Sequence, residues 1–258
     1  VNVIYRKVNG HISTATNDGI NQATGEFIVF MDCDDLLAEN ALYEFACKLN
    51  ENPELDFIYS DEDKITEDGK IRHLPFFKPE WSPDLYMCEN YTNHLSVYRM
   101  AITKEIGGLR SAYNGAQDYD FTLRFMERSS NDRVGHIAKV LYHWRERRES
   151  IAYAMSSKNY ATLATKYAKE EALKRRNIKG HCEYVGGLDQ YRVVYELEQE
   201  PLVSIVIPSK DHPEILEQCI ESIRRFTSYK NYEIIVVDNG SSAKNKLKIQ
   251  TYLEKMNA

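Results

Sequence analysis

Three carboxylates, Asp32, Asp34 and Asp35, fall within four residues, directly after the unbroken apolar run Phe27 to Met31. A strand that reads as buried and ends in acids has its chemistry at its tip, because ligands of open α/β sheets sit beyond the carboxyl ends of the strands. Carboxylates about 4 Å apart repel by roughly 4 kcal/mol at an effective dielectric of about 20. The cluster therefore calls for a cation, and a divalent metal shared with a phosphate-bearing substrate fits oxygen ligands of this kind. A second acidic run, Asp61, Glu62 and Asp63, follows the strand-like Asp56 to Ser60 and reads as part of the same cleft. Asp118 and Asp120 open a helix, where the helix dipole alone would favour them. His143, Trp144 and Arg145 close a further strand. Asp35 has a second reading, as N-cap of the helix that follows.

The elements that must hold these residues read in order from the N-terminus. Val1 to Tyr5 forms a short strand, Ser13 caps a helix ending near Gly25, and "EFIVFMDCDD" is the next strand, a βαβ unit with parallel pairing expected. An amphipathic helix with Leu42, Phe45, Ala46 and Leu49 on one side stops at Pro53. Leu74 to Asp84, with three prolines and three aromatics, reads as an ordered loop over a pocket. A strand and helical turn, the helix "QDYDFTLRFMERS", the strand "RVGHIAKVLYHWR", a long helix over "NYATLATKYAKEEALKRRN" and a β-rich "YRVVYELE" follow. At Pro201 the pattern restarts as strand, helix, strand, helix. This divides the chain into residues 1–153, a connector over 154–200, and a βαβ segment over 201–258.

Composition narrows the function. The 258 residues carry a formal charge of -6, which disfavours a nucleic-acid surface. A metal-dependent nuclease or phosphatase would also use clustered acids, but no basic groove accompanies them. There is no apolar run of the length a membrane span needs and no signal-peptide pattern, so a cytoplasmic protein is expected, with attachment to the inner face of a membrane left open. The five cysteines are scattered and form no C-x-x-C pair, which argues against a disulfide framework or a zinc site.

Several stretches resemble a known family. "PLVSIVIPSKDHPEILEQCIESI" with "YEIIVVDNGSS", and separately "NGHISTATNDGINQATGEFIVFMDCDDLL" with "GAQDYDFTLR" and "YHWR", are similar to the family 2 glycosyltransferases of the GT-A fold, especially bacterial polysaccharide enzymes with tandem domains. The resemblance implies an α/β, Rossmann-related, mostly parallel sheet flanked by helices. In that family the "SIVIP" and "VVDNGSS" strands come first, whereas here they come last. The chain therefore reads as the back two thirds of one domain followed by the front third of the next. The terminal βαβ unit is then expected to complete the sheet in circularly permuted order, within a monomer or between the chains of a swapped dimer.

The resemblance also implies the chemistry: a metal-dependent, inverting transfer of sugar from a nucleotide-diphosphate sugar to a glycan or lipid-linked acceptor in surface polysaccharide synthesis, with Mn2+ or Mg2+ as cofactor. Asp32 and Asp34 match its D-x-D motif, Asp34 for the metal and Asp32 for metal or ribose. His143 falls at a further metal-ligand position. Asp118 matches the catalytic base, Gln117 replacing the commoner first acid. Pro208, Ser209 and Asp238 match positions that contact the nucleotide, with Asn239 in place of a second acid. Asp61 and Asp63 are candidates for the donor sugar, Trp81 and Trp144 for the acceptor, and Arg145, Arg147 and Arg148 for an anionic group. A rival reading is a non-catalytic fragment or assembly domain.

Overall fold

A computed structural model of the chain describes residues 1–188 and 190–257, the side chains of 148–159 and 257 excepted. In the first of its two units, Val1–Glu196, the elements are α1 (His11–Gln22), β1 (Phe27–Val29), β2 (Leu36–Leu37), α2 (Ala41–Glu51), β3 (Phe57–Ile65), β4 (Arg72–Phe76), α3 (Pro83–Cys88), β5 (Ser96–Arg99), α4 (Met100–Glu105), α5 (Gln117–Met126), β6 (Val134–Arg145), α6 (Arg148–Arg175), β7 (Gly180–Val185) and β8 (Gln190–Tyr195).

The centre is β3. It is apolar on consecutive residues because both of its faces are covered. Phe57 and Tyr59 point into a core shared with Tyr98, Phe121, Phe125 and α6, while Ile58 packs with Phe45 of α2, Val97 and Leu141. Phe57 stacks on Tyr98 at 4.9 Å between ring centroids, and Phe121 meets Tyr98 edge-on at 4.9 Å. Helix α6 lies close to α5 because Ala164, Ala168 and Ala172, spaced four residues apart, present a small-residue stripe to this core.

Six strands form the sheet in the order β1-β5-β3-β6-β2, with β4 added on β3. The expectation of mostly parallel pairing is overturned here. Only β3 and β6 run parallel, and β1·β5, β3·β5, β3·β4 and β2·β6 are all antiparallel. Parallel neighbours need a crossover, and within this sheet only the long path through α3, α4 and α5 supplies one. The opening βαβ is also not formed: Val1 to Tyr5 is exposed and unassigned, because a strand exists through its ladder and β1 pairs only with β5. Ser13 is not a cap. It lies inside α1, whose N-cap is Gly10, and its buried Oγ reaches Asn114 Oδ1 at 2.5 Å.

The second unit, Leu197–Ala258, comprises β9 (Val203–Ser209), α7 (Pro213–Phe226), β10 (Tyr232–Asp238) and α8 (Ala243–Asn257). Ile207, Ile234 and Val236 pack beneath Leu216, Ile220 and Ile249 of the two helices. The strands β9 and β10 pair in parallel from Val203↔Tyr232 to Ser209↔Asp238 as a two-stranded sheet of their own.

Candidate functional site

The acidic loop after β1 is held by a tyrosine. Tyr142 of β6 donates its hydroxyl to Asp35 Oδ2 and accepts from the Asp32 amide at 3.4 Å. Burial first, then the bond to Asp35, raises this phenol's pKa well above its ordinary value. Asp35 is itself buried and also accepts from the Arg145 amide at 2.8 Å, so it is the anchor of the loop rather than a helix cap; α2 is preceded by Asn40. Arg145 clamps the same loop by donating Nε to Asp34 O at 2.6 Å and Nη1 to Glu67 O at 2.8 Å. With Asp35 tied down, Asp32 and Asp34 are the two acids left with accessible carboxylates, and Arg147 Nε lies 3.1 Å from Asp34 Oδ2. The side chain of Arg148 lies outside the described residues.

The second acidic run lies within β3, not at its tip, and the pleat sorts it. Asp61 takes His136 Nε2 at 2.8 Å and the Lys78 amide at 3.0 Å. Asp63 takes His143 Nδ1 at 2.5 Å and Arg72 Nε at 2.6 Å. Asp63 is thus in an ion pair with Arg72, and Asp61 is held by hydrogen bonds. Glu62, between them, points to the face of its register partner Tyr142 and accepts from the His94 amide. The same alternation sets His143 with Asp63, apart from Tyr142. Asp32, Asp34 and His143 are therefore not gathered into one group, and no three His, Cys, Asp or Glu side chains among the described residues are placed to hold an ion together.

His94 and Lys78, which no motif in the sequence marks, join Glu62 and Asp32 at the centre. The His94 ring stacks on Tyr142 at 4.8 Å between centroids, with Nδ1 3.7 Å from Glu62 Oε2 and Nε2 3.9 Å from Asp32 Oδ2. Burial opposes its protonation, but Glu62, Asp32 and Asp118 together outweigh burial and the net shift is upward. Asp32 moves up as well, from burial first, against the pull of His94 and with Asp35, Asp34 and Asp118 pushing the same way. Lys78, a buried cation, donates Nζ to His94 O at 2.6 Å and lies 3.6 Å from Glu62 Oε2. Its burial lowers the ammonium to about 8, with Glu62 and Asp61 opposing.

Asp118 enters from the first turn of α5. Its Oδ2 accepts from Asn90 Nδ2 at 3.0 Å and from Asn93 Nδ2 at 2.5 Å. Asp120, two residues on, is completely buried and takes Arg110 Nε and Arg124 Nε, each at 3.0 Å. One of the two acids is thus structural and the other faces the acidic loop. Trp144 stands near His94, ring centroids 6.5 Å apart. Trp81 does not: it packs edge-on against Phe57, at the other end of β3, and bonds Asn131 Oδ1 at 2.9 Å. It lines a cleft of about 660 Å³ whose Arg175 and Arg176 are both paired with Glu127.

In the second unit, Ser209 and Asp238 are register partners at the carboxyl ends of β9 and β10, one residue beyond Pro208 and Val237. Asp238 Oδ1 accepts from the Ser241 amide at 3.2 Å, and the Ser241 hydrogen bond lowers its pKa. No helix among the described residues is long and apolar enough to cross a membrane.

The model of the family described as glycosyl transferase family 2 matches residues 1–135 and 204–256. An uncharacterized protein, y4gI, of Sinorhizobium fredii is 43% identical over 93% of this chain and 26% of its own length. The O-antigen biosynthesis protein RfbC of Myxococcus xanthus is 36% identical over 94% of this chain and 19% of its own. The chain thus spans about a fifth to about a quarter of the length of these relatives. Staphylococcus aureus TarS (residues 1–349) is similar over 74% of this chain and 78% of its own, with 18% identity and a TM-score of 0.39.

Proposed function

This chain belongs to glycosyl transferase family 2, and from that premise we propose that it transfers a sugar, with inversion, from a nucleotide-diphosphate sugar to a hydroxyl of a glycan or lipid-linked acceptor in bacterial surface polysaccharide synthesis. The observation that carries the mechanism is the setting of Asp118. Both amide donors fall on Oδ2, which fixes the orientation of the carboxylate and leaves Oδ1 to receive a proton. The acceptor hydroxyl gives that proton to Asp118 as its oxygen bonds to the anomeric carbon, and the bond from that carbon to the diphosphate breaks with its electron pair leaving on phosphate oxygen. A general base in this role is worth about 10² to 10⁴ in rate.

Asp32 and Asp34 fit a divalent ion as a pair of accessible carboxylates on one loop, the number that Mg2+ or Mn2+ takes when diphosphate and water complete the shell. Bound there, the ion would supply Lewis-acid neutralisation of the leaving diphosphate. His143, engaged with Asp63, is not needed in that set. Myxococcus RfbC, a biosynthesis protein for O-antigen, supports the polysaccharide assignment. The matched segments, read in the family's order, support a chain made of the later part of one domain (residues 1–153), a connector (154–200) and the first part of another (201–258). On that reading Pro208, Ser209 and Asp238 are nucleotide contacts of the second unit.

Calorimetric titration of uridine, thymidine and guanosine diphosphates, with and without Mn2+, tests the reading. Metal-dependent binding that Asp34→Asn weakens is expected. Absence of binding at millimolar nucleotide would overturn it and favour a non-catalytic assembly domain.

A further inference from the structure

A pocket of about 300 Å³ opens beside Asp118, lined also by Asn90, Thr162, Thr165, Gln190 and Tyr191. Its walls differ in origin. Asp118 and Asn90 lie in the stretch that the family model matches, whereas α6 and β8 lie in residues 136–203, which it leaves unmatched. We infer that this pocket receives the terminal saccharide unit of the acceptor, and that the side chains from α6 and β8 determine which sugar is accepted. The inference rests on the assignment of Asp118 as the base, since a hydroxyl must reach that carboxylate from somewhere.

The volume is at the small end of the range for ligand pockets, roughly 300 to 1,000 Å³, and suits one sugar ring better than an extended chain. The lining residues carry hydroxyls, side-chain amides and the carboxylates of Asp118 and Glu89, so both donors and acceptors are available to the hydroxyls of a pyranose. Thr165 donates its Oγ1 hydrogen to Ala161 O at 3.0 Å, which leaves its lone pairs for a ligand hydroxyl. Lys169 is the cation among the described lining residues, and its Nζ is already bonded to two backbone carbonyls, which speaks against a phosphate group as the occupant.

The wall is also held in place. Lys169, 1% exposed, donates Nζ to Tyr191 O at 2.6 Å and to Cys88 O at 2.9 Å, joining α6 to β8 and to the end of α3. A buried ammonium bonded to two carbonyls fixes both backbones at the pocket, so the shape is set before any sugar arrives.

The test is a titration of the whole chain, with threonine methyls labelled for NMR, using the methyl glycosides of rhamnose, glucose and N-acetylglucosamine as probes. Saturable shifts at Thr162 and Thr165 with at least one glycoside are expected, and the shift at Thr165 should be lost in Thr162→Trp and kept in Thr162→Ser. In a transfer assay the same Thr162→Trp change should raise the acceptor KM at least about tenfold, equivalent to roughly 1.4 kcal/mol. No saturable shift with any glycoside, or shifts that survive Thr162→Trp, would overturn the inference. Nucleoside diphosphate binding is read separately on the same samples. Glycoside shifts without nucleotide binding would support the saccharide pocket and place the failure in the donor reading.

Discussion

The two aspartates of "QDYD" make opposite predictions, and substituting each by asparagine separates fold from chemistry. Asp120 is fully buried and neutralises Arg124, which is 8% exposed, as well as Arg110. Breaking a buried pair by removing one partner costs about 3 to 5 kcal/mol, because the other charge is left uncompensated. Arg110 keeps Glu171 at 3.2 Å, so the orphan in Asp120→Asn is Arg124, still bonded to Ile106 O at 2.8 Å and Gly108 O at 2.6 Å. That places the loss near the lower bound, about 3 kcal/mol. With a urea slope of about 2 kcal/mol/M, the midpoint of the first unit should fall by roughly 1.5 M. Asp118 is half-buried and bonded to two neutral side-chain amides, so its replacement leaves no buried charge unpaired. Asp118→Asn should therefore cost no more than about 1 kcal/mol in stability. It should nonetheless lower turnover by about 10² to 10⁴, a barrier increase of roughly 2.7 to 5.5 kcal/mol. The assays are urea denaturation and release of nucleoside diphosphate in the presence of acceptor. An unchanged midpoint for Asp120→Asn, or unchanged turnover for Asp118→Asn, would refute the division of roles.

Glu171, held by Arg110 and then Tyr113, is lowered to about 2 from 4.5. Its contribution is therefore present above pH 4.5 and lost as pH falls toward 2, and Glu171→Gln should flatten the acid limb of a stability-against-pH curve. Lys78 works in the other direction: between about 8 and 10.5 the unfolded chain holds a proton that the folded chain has released, so stability should rise with pH across that window. Lys78→Met should abolish that rise in urea midpoints measured across the same range. Tyr142→Phe removes the hydroxyl that joins Asp35 to the Asp32 amide; a loss of about 1 to 3 kcal/mol is expected from the buried carboxylate left short of a partner. The same variant should weaken metal-dependent nucleotide binding in calorimetry, because the acidic loop loses its anchor.

Much of this protein is legible in residue order. The helices α2, α4, α5 and α6, β3, β6 and the whole β9-α7-β10-α8 run follow from apolar spacing and from where Gly and Pro interrupt it, whereas α3 lies where a loop is expected. So does the presence of acids beside strand ends. Local pattern carries that information because amphipathic period and turn chemistry are properties of neighbouring residues. Strand direction is not such a property. The first unit's sheet is mainly antiparallel because β5 pairs with both β1 and β3, a contact between residues far apart in the chain. Val1 to Tyr5 has strand-like residues and no strand, since no ladder reaches it.

The acids divide along the same line. Residue types alone mark Asp32, Asp34, Asp35, Asp61, Asp63, Asp118 and Asp120 as charges that need partners, because carboxylates repel wherever they crowd. Which of them are satisfied internally is decided in three dimensions. Tyr142 claims Asp35, His136 claims Asp61, His143 claims Asp63, and two arginines claim Asp120. Glu62, one of the acidic run of β3, and His94, unremarkable in sequence, come to the centre through the pleat of β3 and the stacking of His94 on Tyr142. A charge is written in the residue, but its counter-charge is delivered by the fold.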